Sequence, residues 1–337
     1  TVYGDYIYIS ERQKSALKKV NRKTNEISWV LGGTSNDFTI INYVGETAMT
    51  PETDVNVDKD NIQPWNHQHM FQHLDDSYYS LFDNNVGEGH KFIKKSWGKD
   101  SRMVIVWVDE ENKVAKEIFS FPTGDKARIY GGADVLPSGN VVGSSMVDWT
   151  FPADDDHQYH TNFWEVTLDN EVVWRVGFKG LNLAKPDDVT NPYPHYYVDE
   201  DNPDADYAPT GWNVYNVQRF YSKPVITKPC QVAGYASPQI IFIPFNTVRT
   251  QEDHSGRALL VPTGEMTKNL GQVDFYYQKS WLPRPQTISV PAGYKSTPLT
   301  LLVLNNWGDV MYHDMGVPTD LPICPKTDAY RRLYPTS

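Results

Sequence analysis

Three of the chain's nine histidines fall within the stretch WNHQHMFQH, residues 65–73. His67, His69 and His73 carry the one side chain that gains or loses a proton near neutral pH. They therefore suit general acid–base work, nucleophilic attack or metal ligation. Continued as a strand, the stretch puts His69 and His73 on one face, with His67 joining them at even spacing. Three imidazoles so placed would suit Zn²⁺ or Cu²⁺, although no carboxylate follows in phase. The plainer reading makes His67 and His73 polar loop residues or hydrogen-bonded supports.

Other residue patterns offer different chemistry. In DVNVDKDNI (54–62), Asp54, Asn56, Asp58 and Asp60 stand two apart, like the first half of a Ca²⁺ loop. Lys59 occupies the sixth position, where that loop needs glycine, and Trp65 the twelfth, where it needs glutamate. This excludes a helix–loop–helix site and leaves a looser Ca²⁺ loop open; no other cofactor is implied. His157 and His160 lie in DDDHQYHTNFW beside acidic residues that read as solvated. Cys230 and Cys324 are the only cysteines, and neither belongs to a CxxC pair. They are read as one disulfide or as two buried thiols.

These residues need elements to hold them. Forty-two acidic against 31 basic residues give a formal charge of −11, which argues against nucleic acid or an anionic membrane as partner. No apolar run reaches the ~20 residues of a membrane-spanning helix. The chain opens on Thr1 with no signal-peptide pattern, and is read as processed or trimmed. Ten Trp, 21 Tyr and 23 Pro with few amphipathic runs point to an all-β protein.

Self-similarity refines this. GDYIYIS (4–10), DSYYSLF (76–82) and SGNVVGSS (138–145) each lead from a polar turn into a short apolar strand. Each is followed by two strands joined by a polar hairpin, closing with NEISWVLGG (25–33) and NEVVWRVGF (170–178) in the first and third units. Such units of about four strands are β-propeller blades, with insertions at 34–64 and 84–100 forming loops. Trp29 and Trp174 are expected at equivalent positions, packing between neighbours. The expected division is blades over 1–213 and a small β-sandwich over 214–337, with a Pro- and Asp-rich loop region at 182–212.

SERQKSALKKVNRKTNEISWVLGGTSNDF (10–38), Gln68–His69, SLFDN (80–84), SRMVIVWVD (101–109) and YGGADVLPSGNVVGSS (130–145) occur in an order that resembles the arylsulfotransferase family. The resemblance implies a six-bladed propeller of which this chain holds part, followed by a small β domain. It implies sulfuryl transfer from an aryl sulfate to a phenol without a nucleotide donor, through a histidine helped by further histidines and an arginine. His69 and Arg12 are carried over by motif position, and Asn84 and Arg102 stand in matching stretches as supports, with His67 and His73. Where bacterial members place the sulfated histidine, after a Gly-Ser pair, this chain has Met146; His157 and His160 lie close enough to substitute.

Two functions follow. One is a sulfotransferase acting on a small aromatic or sulfated substrate. The other is a non-catalytic extracellular propeller that binds or supports. Both imply a secreted protein, and an incomplete ring implies a partner, an upstream fragment of the same precursor or another chain.

Overall fold

The computed structural model describes residues 2–75, 77–148, 150–151, 154–179, 214–246, 254–277 and 284–324, and the loop region at 182–212 lies outside them. Nearly all regular structure is β. Strands β1 (Val2–Tyr3), β2 (Tyr6–Glu11), β3 (Ala16–Asn21) and β4 (Ile27–Leu31) form an antiparallel sheet in chain order. Alternation turns Tyr8, Leu17, Trp29 and Leu31 into the core. A 3₁₀ turn at Arg12–Lys14 joins β2 to β3.

The first insertion is ordered. It supplies β5 (Thr39–Ile41), β6 (Thr47–Met49) and helix α1 (Val55–Ile62). Then come β7 (His69–Asp75), β8 (Tyr78–Asp83), β9 (Arg102–Asp109) and β10 (Val114–Pro122), again paired in chain order. Strand β5 pairs parallel to β10, and β6 pairs with β5, so the insertion extends this sheet past its fourth strand. Strands β11 (Gly132–Val135), β12 (Val141–Met146), β13 (Thr161–Val166) and β14 (Val172–Phe178) form the third sheet.

The repeat extends to local geometry. Trp29 pairs with Lys19 and Trp174 with Glu165, each beside a bulge after which Val20 pairs with Ile27 and Val166 with Val172. The preceding turns place Asn25 and Asn170 at φ of 61° and 65°, a left-handed conformation that Asn tolerates. The tryptophans are thus equivalent in register but not in environment. Trp29 is buried against Phe38 and Tyr79, whereas Trp174 is half-buried and donates its indole N–H to Glu165. The reason is local: Trp174 shares an open sheet face with Val176 and Phe178, both exposed.

The first two sheets share one core, in which Tyr8, Leu17 and Trp29 meet Phe71, Tyr79, Leu81 and Val104. The second and third meet through Phe121 on Trp164 and through Ser80 Oγ donating to the Ala133 carbonyl at 2.8 Å. Contacts divide the chain into two units, one running to Val217 without Leu136–Gly139, the other made of that turn and the chain from Gln218 onward.

In the second unit β15 (Val225–Ile226) pairs with β18 (Pro244–Phe245). Strands β16 (Cys230–Val232), β17 (Gln239–Phe242) and β21 (Gln286–Ser289) make one sheet. Strands β19 (His254–Pro262), β20 (Gly271–Tyr277), β22 (Leu299–Asn305) and β23 (Val310–Gly316) make another. Ile240, Phe242 and Ile288 from the first pack with Ala258, Leu260 and Leu301 from the second, which is a β-sandwich core. Cys230 and Cys324 form a disulfide with Cα atoms 4.9 Å apart. It staples the 322–324 segment, which already pairs with Gln231, onto β16. In the chain-entropy view a loop of this length is worth ~4–5 kcal/mol.

Candidate active site

The expectation that His69 and His73 share a face fails at one point. His69 pairs with Phe82 and Gln72 with Ser80, so Met70 and Phe71 together stand opposite Leu81 in a β-bulge, with Met70 at φ 52°. One extra residue reverses which face the later side chains occupy. His73 consequently enters the core, 2% exposed, stacked on Tyr8 at 4.9 Å and edge-on to Tyr79 at 5.3 Å. His69 turns the other way. The three histidines do not converge, and no group of three His, Cys, Asp or Glu suited to a metal occurs among the described residues.

The expected Ca²⁺ loop is also not a loop. Asp54 caps α1 by accepting the Asn56 N–H at 2.9 Å, and residues 55–62 are helical. On a helix, side chains two apart point to different sides rather than along one loop. Asp60 accepts the Glu88 N–H at 3.0 Å; the side chain of Asp58 lies outside the described residues.

His69 is held from one side by Asn84. Its Nδ1 lies 2.7 Å from Asn84 Oδ1. The amide orientation is fixed because Asn84 Nδ2 donates to the carbonyls of Ala127 and Tyr130 at 2.8 and 2.9 Å. Oδ1 must then accept, so His69 carries its proton on Nδ1 and, when neutral, presents the lone pair of Nε2. Burial lowers the His69 pKa; the Asn84 bond opposes this, and the Arg12 charge adds to it. Tyr130 and Tyr215 flank the ring edge-on, with centroids 6.1 and 6.2 Å away.

Arg12 comes from the 3₁₀ turn between β2 and β3. It donates Nη2 to the Arg128 carbonyl at 2.8 Å, while its Nε is buried with no partner. It makes no ion pair among the described residues. Its charge also acts on His67, whose pKa is pushed down to about 4, first by burial and then by Arg12.

The loop that delivers these histidines is anchored at both ends. Gln63 accepts the Gly33 N–H at 3.0 Å, Trp65 donates to the Ser15 carbonyl at 3.2 Å, and Gln68 donates to Ser10 Oγ at 2.9 Å. These bonds tie the histidine loop to the turn that bears Arg12. Gly32, at φ 80°, has no room for a side chain, since a Cβ would lie 2.7 Å from the Ser15 carbonyl oxygen.

Arg102 anchors the other side. It is fully buried, and all five of its N–H donors are used. Two go to Glu117 at 2.8 Å each, one to Asp83 at 3.0 Å, one to Ser120 at 3.0 Å and one to the Pro64 carbonyl at 2.9 Å. Asp83 in turn accepts the Asn66 N–H at 2.9 Å. Ser101 Oγ donates to the Asn84 carbonyl at 3.0 Å. The stretches SLFDN and SR are therefore one network: Asp83, Ser101 and Arg102 fix the loop and the strand end, and Asn84 fixes the imidazole.

A family model, Arylsulfotransferase (ASST), matches residues 3–171, the span that contains every residue of this network. The chain belongs to that family. No curated protein matches it. Of the residues expected at the site, the structure gathers Arg12, His67, His69, Asn84 and Arg102 around the 63–69 loop of this arylsulfotransferase-family chain.

It leaves three histidines elsewhere. His73 is in the core. His157 lies edge-on to Phe151, with Nε2 3.9 Å from Asp154. His160 is buried with Nδ1 unpartnered, and burial pushes its pKa down to about 4. Neither of the last two bonds or stacks with His69 among the described residues. Met146 ends β12 opposite Thr161. Sequence reasoning missed Tyr130 and Tyr215 as neighbours of the imidazole, and Asp83 and Ser101 as its anchors. The latter two were present in the matching stretches, but only the fold shows what they hold.

Proposed function

We propose that this chain transfers a sulfuryl group from an aryl sulfate to a phenol through His69. The observation that carries the reading is the fixed tautomer: Asn84 holds the proton on Nδ1, so a neutral His69 offers Nε2 as the nucleophile. In the first step the Nε2 lone pair forms a bond to sulfur while the S–O(aryl) bond breaks, and the electron pair leaves with the phenolate. The N-sulfo imidazolium so formed keeps its Nδ1–H on Asn84 Oδ1, which stabilises the positive ring. In the second step an acceptor phenol attacks sulfur and gives up its proton to solvent, where it balances the phenolate released in the first step. The S–N bond breaks, its electron pair returns to Nε2, and neutral His69 is restored. Arg12, without a carboxylate partner among the described residues, supports the reading as a counter-charge for the anionic group. Tyr130 and Tyr215 supply aromatic walls beside the ring. The disulfide is in keeping with a secreted protein.

One observation favours a second reading, a propeller that binds without transferring. The position after the Gly-Ser pair is Met146, whose thioether cannot carry a sulfuryl group as an imidazole does. Phenol-dependent release of 4-nitrophenol from 4-nitrophenyl sulfate separates the two. Turnover that His69→Ala abolishes is expected; a folded wild-type protein with no turnover supports the binding reading.

A further inference from the structure

The outer face of the β20–β19–β22–β23 sheet carries a cavity of about 480 Å³, within the ~300–1,000 Å³ of small-molecule sites. Strand register explains its lining. Ser255 pairs with Tyr276, Arg257 with Asp274, and Arg257 with Leu304 on the other side, so all five project to the face opposite the sandwich core. Asn306 completes the lining from the turn between β22 and β23.

Two properties define the ligand. The first is aromatic exposure: Tyr276 is 56% exposed on the cavity wall, and Tyr312 60% on the same sheet face. Large rings left in water gain by covering an apolar face. The second is charge. Arg257 spends Nε on Asp274, which neutralises it but leaves both amino groups without a partner among the described residues. Asn306 likewise makes no hydrogen bond among them. The walls therefore offer planar donor and acceptor groups with no net charge, which disfavours anions and cations alike.

The frame is also rigid. Asn305 accepts the N–H groups of Trp307 and Asp309 at 3.1 and 2.9 Å, and donates to Asn246 at 2.8 Å. Trp307 in turn packs on His254 at 4.9 Å. The turn that presents Asn306 and Trp307 is thus set before any ligand arrives.

We infer that this cavity is a carbohydrate-binding site for a neutral saccharide, whose C–H face lies on Tyr276 and whose hydroxyls meet Arg257, Asp274 and Asn306. The site belongs to the second unit and does not rest on the chemistry at His69.

Native electrophoresis of the full chain through gels containing laminarin, xylan or galactomannan tests it. At least one of these neutral polysaccharides should retard the protein. Tyr276→Ala and Asn306→Ala should each weaken binding tenfold or more, whereas Tyr235→Ala, at an exposed tyrosine outside the cavity lining, should not. Unchanged unfolding midpoints would show that the variants fold. No retardation by any of the three polysaccharides overturns the inference, as does retardation that Tyr276→Ala leaves intact. A dimer that Tyr276→Ala dissociates would overturn it too, making the face a self-association surface.

Discussion

His69 and His73 stand four residues apart on one strand and have opposite fates. His73 stacks on Tyr8 and meets Tyr79 edge-on in the core that joins the first two sheets. His69, on the other side of the bulge at Met70 and Phe71, meets the Asn84 amide and the edges of two tyrosines. The same side chain is packing material in one place and the proposed nucleophile in the other. What separates them is one extra residue in the ladder, and then what fixes each ring: aromatic faces for His73, a single oriented amide for His69.

The strongest way to break this contrast is to remove what holds the loop. Arg102→Ala leaves Asp83 and Glu117 buried without their counter-charge, and should cost ~3–5 kcal/mol of stability. Urea unfolding measures this, and a loss under 1 kcal/mol would show that the network is not structural. His73→Ala should come next, at ~2–4 kcal/mol, because it opens a cavity between stacked rings. Below its lowered melting temperature that variant should still transfer sulfuryl groups; a folded His73→Ala protein without turnover would erase the distinction between the two histidines.

Asn84→Ala acts on the other histidine. Without the acceptor for Nδ1–H the tautomer is no longer held, and turnover should fall roughly a hundredfold. Asn84→Asp sharpens the point. A carboxylate beside the ring raises the His69 pKa, so the acidic limb of the rate profile should move to higher pH than in wild type, where burial keeps it below the ordinary histidine value. A limb that does not move would place some other group in control.

The smallest effect concerns His160. Its folded pKa of about 4 lies below the unfolded value near 6.5, so its contribution to stability is present above pH 6.5 and lost as pH falls through 4. Asp125 runs the other way: burial raises its pKa to about 6, and its contribution is present below about 4 and lost as pH rises through 6. His160→Gln should therefore flatten part of the acid-side fall in melting temperature; an unchanged profile would assign that fall to other groups.

Much of this could be read from the sequence, for physical reasons that differ by residue. The repeat was legible because Trp29 and Trp174 sit at the same register in strands whose alternation is visible in the chain. The sandwich was legible from apolar runs such as Leu299–Asn305. The bulge at Met70 and Phe71 was not, because packing against Leu81 and its neighbours sets it rather than any turn residue. Helix α1 was hidden because its polar residues alternate, and a capping Asp54 looks the same in sequence as a ligating one. Arg102 was read as a support, but nothing in the string SRMVIVWVD announces that all five of its donors would be buried and paired.

The most direct measurement is to catch the intermediate. The protein should be mixed with 4-nitrophenyl sulfate and no acceptor, quenched in alkali, digested and sequenced by mass spectrometry. The account expects one added sulfuryl group on His69, lost on addition of phenol before the quench and absent in His69→Ala. A sulfuryl group on His67, His157 or His160 instead, with His69 unmodified, would contradict it.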